Sequence, residues 1–327
     1  MIKQIILAIL LSVLFLFIFL FVGRAPRPEE ITWGVNFSQK HSHGLGLDWR
    51  ENYLALLDDL NVKNIKIMTH WDLIEPEKDL YNFEDVDWQI EMAQERGANI
   101  ILVIGMKTGR WPECHLPEWA VLLNKEEQER EILELIKEFV LRYKNEKNIW
   151  AWHVENEIFF PFGECPWQDE DFLKEEISLV KSLDQRPVIV TDSGEFSFWF
   201  KPAGLGDIVG TTLHKRAWFR ELGVYVNYPF PPIYYWRRIE LIRKLFDKKV
   251  INVELQVEPW GPTLLYWLPL EEQMKTMNLK LFKENIEFAK KTGFDTFYLW
   301  GAEWIYWMKE KQNQPEIWQE AQKLFID

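Results

Sequence analysis

Two apolar runs of this 327-residue chain end in carboxylates. Residues 149–154 lead into Glu155-Asn156-Glu157, and residues 249–254 finish on Glu254. Short apolar runs rich in β-branched and aromatic residues read as buried strands, so each run delivers an acid at its carboxyl end. Two facing carboxylates suit cleavage of a glycosidic bond. One, kept protonated, gives its proton to the leaving oxygen, and the other, ionised, attacks or stabilises the sugar carbon. Their mutual repulsion helps hold one of them in the acid form. Glu157 is the candidate acid/base and Glu254 the candidate nucleophile. Glu258 rivals Glu254, but Glu254 directly ends its strand. Glu155 reads as a structural carboxylate. Asn156 is placed to bond a sugar 2-hydroxyl, or else merely caps a turn.

The elements that must position these groups alternate. Strands are expected at 31–37, 64–70, 98–105, 149–154, 187–192, 207–213, 249–254 and 294–300. Helices are expected near 49–60, 86–96, 125–143, 171–183, 233–246, 271–291 and 315–325. The helix at 125–143 carries an apolar stripe from Ile132 to Tyr143, and Asn124 with Glu127 forms a capping pair. Eight βα units over about 295 residues predict a (β/α)8 TIM barrel, an α/β fold whose chemistry sits at the carboxyl ends of its strands. An open doubly wound sheet would want a glycine-rich turn after the first strand, and Trp33-Gly34-Val35-Asn36-Phe37 supplies none.

In this order and spacing, the chain resembles the large clan of (β/α)8 glycoside hydrolases, which includes β-galactosidase-like, cellulase-like and mannanase-like families. Asn156-Glu157 matches the Asn-Glu pair closing strand four, and Glu254 the Glu closing strand seven. Trp71-Asp72-Leu73-Ile74-Glu75-Pro76, followed by Tyr81-Asn82-Phe83 and Asp87, is similar to the clan's stretch after strand two. Trp300 stands where a Trp often underlies the sugar. The resemblance implies a retaining, two-step mechanism with Glu157 as acid/base, Glu254 as nucleophile and no cofactor. It departs from the clan where a Tyr often bonds the nucleophile: here the region reads Thr211-Thr212-Leu213-His214, and His214 is the candidate substitute or else a structural histidine. Lys66 and His70 stand where the clan often has an Arg on strand two.

The chain has 18 tryptophans, more than a core needs. Flat rings pack against the C–H faces of sugars, and the indole N–H donates to a hydroxyl. Trp300 and Trp260 are expected to touch sugar. Trp71 and Trp111 divide evenly between sugar contact and packing, Trp304 lies near the same strand ends, and Glu303 binds hydroxyls or caps the last helix. Trp150 and Trp152, inside strand four, are expected in the core. Residues 225–236 read as a stiff aromatic wall after strand six. Cys114 and Cys165 fall on adjacent loops; they are expected to form a disulfide if the domain is extracytoplasmic, or to be free buried thiols.

Hydrophobic residues make up 47% of the chain, which excludes wholesale disorder. A net charge of −13 excludes a general nucleic-acid binder, since phosphate affinity comes from clustered Lys and Arg. Residues 5–22 are apolar apart from Ser12, long enough to span a bilayer. The expected organisation is a membrane anchor or cleaved signal at 1–23, a Pro-stiffened linker at 24–30 and a catalytic barrel at 31–327. The barrel is expected to be monomeric and to lie outside the cytoplasm, anchored by the helix or secreted if the segment is cleaved. Two rival readings remain: a tethered sugar-binding barrel without catalysis, and a metal-dependent hydrolase using His41, His43, His153 or His214. The second lacks the Asp such sites want at the end of strand eight.

Overall fold

The computed structural model describes residues 1–220 and 222–326. An isolated helix, α1 (Ile2–Phe21), leads through a linker to β1 (Thr32–Phe37), α2 (Gln39–Gly44) and α3 (Trp49–Asp58). Then come β2 (Asn64–Met68), α4 (Trp71–Ile74), α5 (Glu84–Glu95), β3 (Asn99–Ile104), α6 (Glu118–Val121), α7 (Lys125–Tyr143), β4 (Ile149–Val154) and α8 (Glu170–Leu183). The second half holds β5 (Val188–Asp192), α9 (Phe200–Leu205), β6 (Ile208–Leu213), the strands β7 (Arg216–Phe219) and β8 (Val224–Asn227), α10 (Pro232–Phe246) and β9 (Lys249–Gln256). The chain closes with α11 (Leu270–Gln273), α12 (Leu279–Ala289), β10 (Thr296–Trp300), α13 (Ala302–Gln312) and α14 (Glu316–Gln322).

Eight parallel strands form a closed barrel in the order β1-β10-β9-β6-β5-β4-β3-β2. All eight expected strands are present, because each is rich in apolar residues on the face that meets the helices, while the inner face fills the barrel and carries polar groups such as Lys66 and Glu254. Ile101, Ala151, Ile189, Ile251, Val253 and Tyr298 pack together as a separate inner cluster. The outer layer joins helices and strands in one continuous core that includes Trp152. On α7, Asn124 and Glu127 cap each other as expected, and Ile132, Leu135, Ile136, Phe139 and Val140 are buried. Each such side chain contributes about 1.5–3 kcal/mol on burial.

Three local expectations need correction. The aromatic wall at 225–236 is a two-stranded antiparallel hairpin, β7–β8, followed by helix: Tyr234 and Tyr235 are buried on α10, and only 228–231 is loop. The helix expected at 271–291 is two, because Asn278 starts α12 by accepting the N–H of Leu281. Residues 302–312, among which no helix is expected above, form α13.

Candidate active site

The end of β4 turns sharply. Glu155 and Glu157 both have left-handed backbone (φ 54° and 46°), a conformation that costs roughly 1–2 kcal/mol for a side chain of this kind. Hydrogen bonds over-determine the turn. The Glu155 carboxylate accepts the N–H of Met106 (2.5 Å) and of Lys107 (2.7 Å). Gly105 allows this approach: a Cβ there would collide with that carboxylate. Lys107 Nζ donates to the carbonyls of Glu157 and Phe160, each at 3.0 Å. The Glu157 N–H donates to Thr191 Oγ1 on β5 (2.8 Å). The side chain of Glu157 is thereby aimed by bonds to β3 and β5, and Thr212 Oγ1 on β6 donates to its Oε1 (3.3 Å). Behind the turn, burial first and then Glu155, with which it shares a hydrogen bond, raise the pKa of Glu176 of α8 well above the ordinary carboxylate value. Glu155 itself lies at about 7, pushed up by burial against its backbone donors.

Glu254 is positioned by irregularity in β9. The pairing with β6 and with β10 slips by one residue around Val253, and a bulge of this kind re-aims the side chain that follows. Asn36 Nδ2 secures it by donating to the Val253 carbonyl (2.9 Å). Lys66 Nζ on β2 donates to Glu254 Oε1 at 2.8 Å, both groups being buried. Lys66 therefore occupies the place the sequence offered to His214. His214 gives only its backbone N–H to Glu195 Oε1 (2.9 Å), and its ring stands edge-on to Trp260 at 5.2 Å. Burial lowers its pKa and outweighs the attraction of the Glu254 and Glu258 charges, and Nε2 is buried without a partner among the described residues.

The two candidate carboxylates sense one another. The Glu157 pKa lies well above the ordinary carboxylate value. Burial is the main cause, and the charge of Glu254 comes next; Glu113 and Glu195 add to it, and Lys107 opposes. Asn156 bonds Glu113 through its side chain and leaves its own buried Oδ1 unpaired. Burial pushes Glu113 and Glu195 up to about 7.

A second charged cluster flanks this pair. Arg110 donates to Glu258 Oε1 and to Glu303 Oε2 (3.0 Å), and its guanidinium lies 3.9 Å from the ring centre of Trp300. His41 Nε2 meets Glu258 Oε2 at 3.1 Å. Burial acts to raise Glu258, but Arg110 and His41 override it and hold the carboxyl at about 2. The donor atoms of His41, Glu258 and Glu303 are close enough for a metal ion, yet Arg110 already pairs with both carboxylates. His41 and His43 point apart on α2, one buried and one exposed, and His153 bonds Thr191 (3.0 Å).

Of the residues read from sequence, Glu157, Glu254, Asn156 and His214 converge. Trp260 joins them through His214, and Trp111 (41% exposed) reaches the same group through Phe162. Trp300 is half-buried beneath Arg110. Trp71, Trp304 and Glu303 need correction. Trp71 gives its N–H to Glu75 (2.8 Å) and packs edge-on against Trp119; Trp304 gives its N–H to Gln273 (2.7 Å). Both rings are sealed, and stacking needs an open face. Glu303 is fully buried, bonded to Arg110 and to the Ser38 N–H (2.7 Å), so it acts as a brace. Glu157 and Glu254 are themselves only 9% and 2% exposed, but a carboxylate needs just one oxygen at the opening. Lys107, Arg110, Glu113 and Glu195 were missed: all lie in loops whose partners are distant in sequence.

The profile of the family described as glycosyl hydrolase family 10 matches residues 38–175, a stretch that contains Glu157 and stops short of Glu254. The resemblance to (β/α)8 glycoside hydrolases holds. Among curated proteins, β-galactosidase LacZ of Lactobacillus acidophilus is 28% identical over 179 residues, 46% of this chain and 26% of that protein. LacA of Lactobacillus acidophilus is 26% identical over a stretch of the same size. The chain thus spans about a quarter of the length of these relatives. Among solved structures, a glycosylated endo-β-1,4-xylanase from Gloeophyllum trabeum superposes with a TM-score of 0.60 at 16% identity, covering 95% of this chain and 100% of that one. Xylanase 10B from Thermotoga petrophila RKU-1, in complex with xylobiose, gives 0.58 at 17% identity over 90% and 94%. A β-galactosidase from the Antarctic haloarchaeon Halorubrum lacusprofundi gives 0.55 at 15% over 83% and 52%. These likenesses establish the barrel.

Proposed function

We propose that the protein is a retaining glycosidase that hydrolyses O-glycosidic bonds of an oligo- or polysaccharide. One observation carries the reading: the Glu157 pKa is raised well above the ordinary carboxylate value by burial and by the nearby charge of Glu254, whose own carboxylate is paired with a buried lysine. The two groups thus sit in different surroundings, one held by burial and a neighbouring charge and the other paired with a cation, as acid and nucleophile require. Glu157 gives its proton to the departing oxygen while Glu254 attacks the anomeric carbon. Glu157, now ionised, then takes a proton from water as that water releases the sugar from Glu254. Lys66 pairs with Glu254 and orients its carboxylate, and Lys107 fixes the backbone of Glu157. The unpaired Oδ1 of Asn156 and Nε2 of His214 are free to bond sugar hydroxyls. Trp300, Trp260 and Trp111 offer ring surface. The chemistry needs no metal or organic cofactor.

In this reading residues 1–23 anchor the chain, 24–30 link, and 31–327 form the catalytic domain outside the cytoplasm. The bond between Cys114 and Cys165 supports that location, since disulfides persist in oxidising compartments. The test is a panel of chromogenic glycosides assayed with the wild type and Glu254→Ala, with proton NMR of the first-formed anomer. Release by the wild type alone, with retained configuration, is the expected result. Inverted product, or equal release by the variant, refutes the mechanism. Sugar binding without turnover leaves the non-catalytic barrel.

A further inference from the structure

Among the described helices α1 is the one long and apolar enough to cross a membrane, and its 20 residues span about 30 Å. Only its last turn touches the barrel. Leu20 is buried, Phe21 stacks on Tyr234 (5.4 Å) and meets Phe230 (6.5 Å), and Arg237 lies over Phe19. Tyr234 and Arg237 belong to the first two turns of α10. A barrel helix begins at the carboxyl ends of the strands, so α1 docks at the rim that carries the candidate site. The linker then runs the other way. Gly23 lies beside Ile233, while Thr32 bonds Asp295 at the amino end of β10. Nine extended residues reach about 30 Å, enough to pass from one end of the barrel to the other. The chain therefore descends the barrel wall, and α1 departs from its catalytic end.

Aromatic rings continue from α1 along that rim. Phe230 pairs with Tyr228 (6.4 Å), Tyr228 with Phe196 (5.5 Å), Phe196 with Phe160 (5.9 Å) and Phe160 with Phe162 (6.2 Å), which meets Trp260 beside the site. Phe196 is 58% exposed, and Leu222, between β7 and β8, is 69% exposed. Exposed apolar groups gathered on one rim mark an interaction surface. Here the patch continues from the candidate membrane helix.

We propose that the rim bearing Phe196 and the β7–β8 hairpin rests on the bilayer that holds α1, and that the site takes glycans presented on lipid, as a sugar headgroup with an apolar aglycone. This rests on the anchor and glycosidase readings above. The test uses the full chain in phosphatidylcholine nanodiscs, whose neutral surface does not repel an acidic barrel. Nitroxide is attached at Phe196→Cys, at Leu222→Cys and at Lys63→Cys, beside the amino end of β2; the two native cysteines are already bonded to each other. Collision with oxygen is expected to exceed collision with a nickel chelate at the first two sites, and the reverse at the third. Water-like behaviour at all three overturns the surface. In the second arm, Leu222→Ser is expected to lower kcat/KM about tenfold on a bilayer-embedded dodecyl glycoside and to leave the methyl glycoside of the same sugar unchanged. Equal effects on both overturn the substrate class. Turnover of no glycoside removes the catalytic reading and the substrate class with it, while the spin labels still decide the surface.

Discussion

Replacing Glu157 with Gln tests the acid assignment through stability alone, without any substrate. Glu157 has its pKa raised well above 4.5 in the folded protein, by burial first and by the Glu254 charge second. Below pH 4.5 the folded and unfolded chains both hold this proton. Above it the unfolded chain releases the proton and the folded chain does not, so wild-type stability declines with rising pH until the folded pKa is passed. The slope is about 1.4 kcal/mol per pH unit. Gln does not titrate, has nearly the same shape and keeps the contact with Thr212. Glu157→Gln is therefore expected to match the wild type at pH 4 and to lead it by about 1.4 kcal/mol at pH 5.5. For a chain this long that is a Tm difference of about 2 °C. The lead stops growing at the pH where folded Glu157 ionises. Calorimetry at half-unit pH steps measures it. In a Glu254→Gln background the plateau must come at lower pH, because the second-largest raising influence is gone. A difference that stays flat from pH 4 to 7 shows Glu157 ionised with ordinary affinity, and the acid role is then untenable.

Other perturbations read the neighbouring groups. Lys66→Met leaves Glu254 buried without its counter-charge, so thermal unfolding at pH 7 should show a loss of about 3–5 kcal/mol and aryl-glycoside turnover should nearly vanish; unchanged turnover would separate Lys66 from the chemistry. Glu258 is held at about 2 although burial opposes it, so its stabilisation is present above pH 4.5 and lost as pH falls towards 2. Glu258→Gln should accordingly cost roughly 3 kcal/mol in a pH 7 melt, with the gap closing below pH 4.5. The bond between Cys114 and Cys165 closes a separation of 51 residues, worth about 4 kcal/mol by chain entropy. Replacing both by Ser should show that loss in denaturant titration; no loss would mean that the loops are held by their other contacts.

The barrel was legible because each strand is a short run rich in apolar residues, and Glu157 and Glu254 were legible because each lies near the carboxyl end of such a run. The hairpin β7–β8 was hidden: its four-residue strands pair Trp218 with Tyr225 across what reads as an irregular aromatic loop. Lys66 was noticed only as a departure, since its partner lies 188 residues away and meets it through closure of the barrel. Arg110 gave no signal, because its acceptors lie 148 and 193 residues further on. Tryptophans were placed correctly along the chain but not in direction: Trp71 and Trp304 occur near strand ends, yet their helical backbones turn the rings inward.

The linker is also a severable strap. It runs down the outside of the barrel, and Leu20 is the single residue of α1 buried beyond it. A protease that cuts within 24–30 would free an intact barrel into bulk solution. On the proposed reading of an anchored glycosidase, the barrel would then pass from searching a two-dimensional sheet to searching a volume, and a cell could set its reach by one irreversible nick.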